Sequence, residues 1–151
     1  MLCLLLAAVL VGCSSSPTRV AMVGQVGAAP DLNPDGSGRP SPVKLRVYQL
    51  RADTAFMAAD YFAIFDNEKA TLEKDLVSRT EYELDPSDYK KLGITVAPDT
   101  RFIGVVAAYR EIEKARWRAL APIPTGKDEV TIIVTLESMA VSAAVVPGIK
   151  K

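Results

Sequence analysis

The stretch Ala29–Leu50, APDLNPDGSGRPSPVKLRVYQL, constrains the fold more than any other part of the chain. Its first part, Ala29–Pro42, carries Pro30, Pro34, Pro40 and Pro42 among glycines, aspartates, an asparagine and serines. Each proline removes a backbone donor and fixes φ, so this part cannot run as a helix or as the centre of a sheet. Val43–Leu50 then sets apolar residues against Lys44 and Arg46, the alternation of a half-buried strand. A long, stiffened surface loop therefore feeds directly into a core strand. Loops of that length without structure of their own are often functional in small domains.

The rest of the chain supplies the partners such a strand needs. Residues 18–28 alternate Val20, Met22, Gly24 and Val26 with Arg19, Gln25 and Gly27, which predicts a first strand before the loop. Over 53–66 the period changes: Met57, Tyr61, Ile64 and Phe65 share one helical face, with Asp53 or Thr54 as N-cap and Asp66-Asn67 as the stop. A second short helix is predicted over 68–76, where Leu72 and Leu76 lie one turn apart. Period two returns at Thr80, Tyr82 and Leu84, turns at Asp85-Pro86-Ser87, and resumes at Leu92, Ile94 and Val96. Phe102–Tyr109 is apolar on both faces, as a central strand covered on each side must be. Arg116–Ala121, Val130–Leu136 and Met139–Val146 complete the set. About eight strands with one helical insertion at about 53–76, after the second strand, predict an all-β, two-sheet sandwich occupying 18–151.

Residues 1–12 are uncharged and almost wholly apolar, too short to span a hydrocarbon core of about 30 Å as a helix. They read as the hydrophobic region of a signal peptide. The tetrapeptide Leu10-Val11-Gly12-Cys13 resembles the bacterial lipobox, in which cleavage before the cysteine frees a thiol for lipidation. Residues 13–17 then form a polar tether. No lysine or arginine precedes the apolar run, a departure from the usual signal that places the true start codon upstream as an expectation. Ser14 lacks the aspartate that resembles an inner-membrane retention signal, so the resemblance implies the outer membrane. With Cys3 removed and Cys13 acylated, no disulfide is available and stability must come from an apolar core.

The chemistry available is narrow. There is no histidine, which excludes Ser-His-Asp and Cys-His catalysis and most transition-metal sites. The 18 basic residues balance the 18 acidic ones, so no field favours nucleic acid. Asp31-Leu32-Asn33-Pro34-Asp35-Gly36 opens like a calcium loop. Its ninth position is Arg39, however, and its twelfth, where a bidentate glutamate belongs, is Pro42. Asp31, Asn33 and Asp35 read instead as Asx-turn formers. Glu111 and Glu113, beside Lys114 and Arg116, read as a solvated turn, and Arg110, Arg116 and Arg118 as positions flanking a core Trp117. No enzyme and no cofactor are expected.

Together the lipobox, DLNPDGSGRPSPVKLRVYQL, AADYFAIFD, FIGVVAAYR and ARWR resemble the type VI secretion outer-membrane lipoprotein family (the TssJ type) across nearly the whole mature chain. The resemblance implies a transthyretin-like β-sandwich with added helices. It also implies a lipoprotein anchored in the inner leaflet of the outer membrane, facing the periplasm, that holds the periplasmic domain of the large inner-membrane component. The loop between the first two strands is the part of that family implicated in holding the partner. The role carries here to Asp31, Leu32, Asn33, Asp35, Arg39 and Pro40. Leu32 is expected as an apolar anchor and Arg39 as a partner for a carboxylate. The competing readings are a lipoprotein that binds a small ligand or carbohydrate, between its sheets or beside Trp117, and a hydrolase using aspartate and glutamate.

Overall fold

A computed structural model describes residues 21–126 and 129–148. Among them eight strands form: β1 (Ala21–Ala28), β2 (Val43–Leu50), β3 (Leu76–Leu84), β4 (Tyr89–Leu92), β5 (Phe102–Ala107), β6 (Arg118–Pro122), β7 (Glu129–Leu136) and β8 (Val141–Pro147). Helices α1 (Thr54–Ala58) and α2 (Tyr61–Leu72) and a 3-10 turn at Glu73–Asp75 lie between β2 and β3. The strands divide into two four-stranded sheets, ordered β4-β1-β7-β8 and β3-β2-β5-β6. Every neighbouring pair is antiparallel except β1 and β7, which run parallel in register from Ala21↔Glu129 to Ala28↔Leu136. Among the described residues no helix is long and apolar enough to cross a membrane.

Period-two burial explains the pairing of the sheets. Val43, Leu45 and Val47 of β2 point inward, with Ile103 and Val105 of β5. They meet Val26 of β1 and Ile132 and Val134 of β7. The opposite face of the second sheet is covered too. Tyr48, Leu50 and Val106 pack against Phe56, Ile64 and Leu72 of the helical insertion. β5 thus lies between two apolar layers, which is why it reads as apolar without alternation. A helix of α2's length is marginal in isolation. Burying Ile64 and Leu72, at about 1.5–3 kcal/mol per side chain, holds it in place. Arg46 reinforces the contact from β2, its guanidinium 3.8 Å over the Phe65 ring and its Nε 2.8 Å from Glu81.

Three local expectations are corrected. The single helix over 53–66 is two, broken at Ala59 and Asp60, and Asp60 rather than Asp53 supplies the side-chain cap, accepting from the Ala63 N–H at 2.8 Å. Across that break the helical face does not carry through, so Met57 is 45% exposed and Phe56 is buried in its place. Asn67 does not stop α2 but kinks it, at φ −127 and ψ 36. Finally, the strand expected through Ile94 and Val96 ends at Leu92. Both side chains are buried, but the Gln49 side chain takes the place of a ladder, donating to Thr95 O and accepting from the Ala97 N–H, each at 2.9 Å.

Candidate interaction site

The pairing registers place four connections at one pole of the sandwich: Ala29–Pro42 after β1, the β3–β4 turn, residues 108–117 between β5 and β6, and residues 137–140 between β7 and β8. β1 enters at the opposite pole, at Ala21.

Ala29–Pro42 has a buried neck and an exposed tip. At the neck the Ala29 N–H donates to Leu136 O and the Ser41 N–H to Leu32 O, at 2.8 and 2.9 Å. Leu32 is 0% exposed and belongs to the inter-sheet core. The expectation of Leu32 as an anchor offered to a partner is therefore corrected: the backbone turn that follows Pro30 directs the side chain inward. Asn33 is also buried, with φ at 48, in the left-handed region that asparagine tolerates better than most residues. Its Nδ2 donates to Pro42 O at 2.9 Å, its Oδ1 accepts from the Arg110 N–H at 2.8 Å, and its own N–H donates to Ser138 O at 2.8 Å.

The tip is closed by Asp35. Its Oδ1 accepts from the N–H groups of Ser37 and Arg39 at 2.9 and 3.0 Å, while Oδ2 accepts from Arg39 Nε at 3.1 Å. Those two backbone donors, Arg39's first, hold the Asp35 carboxyl below its ordinary value. The turn needs a positive φ at Gly38, 78°, where a side chain would be strained. Exposed around it stand Gly36, Ser37, Arg39 and Pro40, with Asp31 exposed nearer the neck. The Arg39 side chain is 80% exposed, so its ion pair with Asp35 shapes the tip rather than contributing much stability. Of the candidate contact residues, Asp31, Arg39 and Pro40 thus present surface, Asp35 shapes it, and Leu32 and Asn33 support it from beneath. Cys13 lies outside the described residues.

Trp117, the residue beside which a ligand was considered, is half-buried and packs against both apolar clusters. Arg118 lies 4.8 Å from its ring centre and Tyr61 meets it at 82°, so the indole is engaged within the protein. Arg118 is committed as well, donating to Phe56 O and Ala59 O at 3.0 and 2.7 Å. What sequence reasoning missed is the contact of the loop with residues 108–117 and 137–140. In the sequence the first reads as a solvated turn flanked by strand ends and the second as the approach to the Met139–Val146 strand, and no local signal ties Asn33 to Arg110.

Residues 21–138 match the model of the family described as type VI secretion lipoprotein (VasD, EvfM, TssJ). The fold is similar to the type VI secretion lipoprotein TssJ1 from Pseudomonas aeruginosa, at TM-score 0.80 and 39% identity over 89% of this chain and 100% of that one. It is similar also to Lip from Serratia marcescens, a membrane-bound component of the type VI secretion system, at TM-score 0.76 and 28% identity over 84% and 97%. A chain of a type VI membrane complex shares the fold at TM-score 0.71 and 20% identity over 83% and 97%. No curated protein sequence matches the chain.

Proposed function

Because this chain belongs to the type VI secretion lipoprotein family, we propose that it is the outer-membrane anchor of a secretion membrane complex. In this reading Cys13 carries the lipid, after a signal peptide at 1–12 and before a tether at 13–17. The domain faces the periplasm from the inner leaflet of the outer membrane, and Ala29–Pro42 binds the periplasmic domain of the large inner-membrane component. The family is one of structural lipoproteins, not enzymes.

The observation that carries the reading is polarity. β1 enters at one pole, at Ala21, and delivers the proline-rich loop at the other. Its length of 8 residues, at about 3.3 Å per residue, separates Ala21 from the loop by a full strand. A loop stiffened by prolines and closed by Asp35 loses little conformational freedom on binding, so more of its contact energy remains as affinity. Asp31, Arg39 and Pro40 supply the contact surface, with Asp35, Asn33 and Leu32 shaping and supporting it.

The test is calorimetry of the full chain, in detergent, against the periplasmic domain of the inner-membrane component. Binding is expected, and replacing Asp35–Pro40 by a two-residue turn should abolish it while the thermal transition stays in place. Unchanged affinity in that variant would sink the loop's role. Cys13→Ser should release the protein from the membrane fraction, and retention there would overturn the lipidation site.

A further inference from the structure

The proline-rich loop does not stand alone at its pole. We propose that the turn Arg110–Lys114, between β5 and β6, is the second half of the partner-docking surface, and that Asn33 is the positioning residue fixing the two halves relative to each other. This rests on the partner-binding reading of Ala29–Pro42.

Asn33 is 4% exposed and sits beyond the ends of the sheet ladders, where only loops remain. From there it bonds to Pro42 across the neck, to the Arg110 N–H and to Ser138 O. The same junction is tied a second time: the Tyr109 hydroxyl donates to Glu137 O at 3.1 Å, and the Arg116 N–H to Met139 O at 2.9 Å. A buried residue whose side chain bonds its own loop at Pro42 and the turn at Arg110, and whose backbone N–H bonds Ser138 O, gives a rigid relation among the three segments, because each bond lost would leave a buried polar group unpaired. A loop that only had to turn would not need that.

The turn held in this way has the features of a contact surface. Arg110 spends its backbone N–H on Asn33 and leaves its side chain exposed. Among the described residues, Glu111 and Lys114 pair with each other, whereas Arg110 and Glu113 form no ion pair. A concavity of about 330 Å3 is lined by Arg110, Glu111, Ile112, Glu113 and Lys114. At the loop tip, by contrast, Arg39 is already paired with Asp35. Arg110 therefore adds to this pole a cation without an ion-pair partner among the described residues, beside the half-buried Ile112. The partner segment that fits carries a carboxylate next to an aliphatic side chain, the first meeting Arg110 and the second Ile112.

The experiment measures the affinity of the full chain, in detergent, for the periplasmic domain of the inner-membrane component, alongside amide exchange. Arg110→Glu keeps the backbone bond to Asn33 and should weaken binding about tenfold or more, with the thermal midpoint unchanged. Asn33→Gly keeps the positive φ but removes the clasp. It should speed exchange of the Arg110 amide and weaken binding about as much, in protein shown by its circular dichroism to be folded. If both variants bind within about twofold of the parent while the shortened tip abolishes binding, the platform is overturned and the loop reading stands. If the parent chain itself fails to bind, both readings fall.

Discussion

Leu32 and Arg39 belong to the same loop, yet one is fully buried and the side chain of the other is 80% exposed. Burial assigns them different work. Leu32→Ala removes a core side chain and should cost about 2–5 kcal/mol, read as a lower denaturant midpoint, while the folded fraction binds its partner with unchanged affinity. A loss of affinity without loss of stability would return Leu32 to the binding surface. Gln49 shows the converse case, a polar residue on the inward face of β2. Its Oε1 accepts from the Ala97 N–H and the Thr100 hydroxyl and its Nε2 donates to Thr95 O, each at 2.9 Å, so it stands in for a strand partner. Gln49→Leu should orphan those groups and cost about 1–3 kcal/mol, with protease cleavage appearing first between Gly93 and Thr100. In the sequence Gln49 looks like any polar position in a strand, because its partners lie more than 40 residues away.

Among the elements, the helical insertion depends most on one backbone position. A Cβ on Gly104 of β5 would lie 2.7 Å from Cζ of Phe56, whose ring is fully buried between α1 and the sheet. Gly104→Ala should therefore push α1 off the sheet at a cost of about 1–3 kcal/mol, checked by thermal denaturation and by a rise in amide exchange confined to 54–72. An unchanged midpoint would mean that the Phe56 ring has room to move. The insertion was legible as helix from its period, and its face held within α2, where Tyr61, Ile64 and Phe65 meet the core, but not across into α1. A 3.6-residue pattern drawn through Ala59 and Asp60 assumes a continuous helix. The break there rotates α1 against α2, leaving Met57 outside and Phe56 inside.

For the whole molecule, the charge states fold into one pH profile. With no histidine present, no side chain of ordinary pKa titrates near neutrality. On the acid side, the hydrogen bond from Arg46, assisted by Lys44 and opposed by desolvation, holds the Glu81 carboxyl below 4.5. The Lys90 side chain and the Asp85 N–H likewise lower Asp88 below 3.8. Both groups are lowered on folding, so the stability they add is full above the ordinary carboxylate range and is lost as pH falls through it. On the alkaline side burial raises Tyr48 from 10.0 to about 12 and pushes Tyr109 up as well. Those protons leave the unfolded chain first, so that contribution is full below pH 10.0 and is lost as pH rises past it. The denaturation midpoint should be flat from about pH 6 to about pH 9 and fall on both sides. Glu81→Gln should flatten part of the acid limb and Tyr109→Phe part of the alkaline one. A step between about pH 6 and about pH 8 would contradict this account.

At this scale the division between sequence and structure is clear. Alternation set the strands and a change of period marked the helices, because periodicity is a local property of a chain choosing one backbone geometry. The proline-rich loop was equally legible, since each proline limits φ without help from any other residue. Which side chains of that loop face outward was not legible. Leu32 is buried because the core beneath the pole has room for it, and Asn33 is buried because Pro42, Arg110 and Ser138 converge on it. The parallel pairing of β1 with β7 belongs to the same class, joining segments about 100 residues apart that share no sequence signal. The sequence by itself determined what each segment becomes. Only the tertiary structure decided what each side chain meets, because burial and hydrogen bonding belong to pairs of segments rather than to either one.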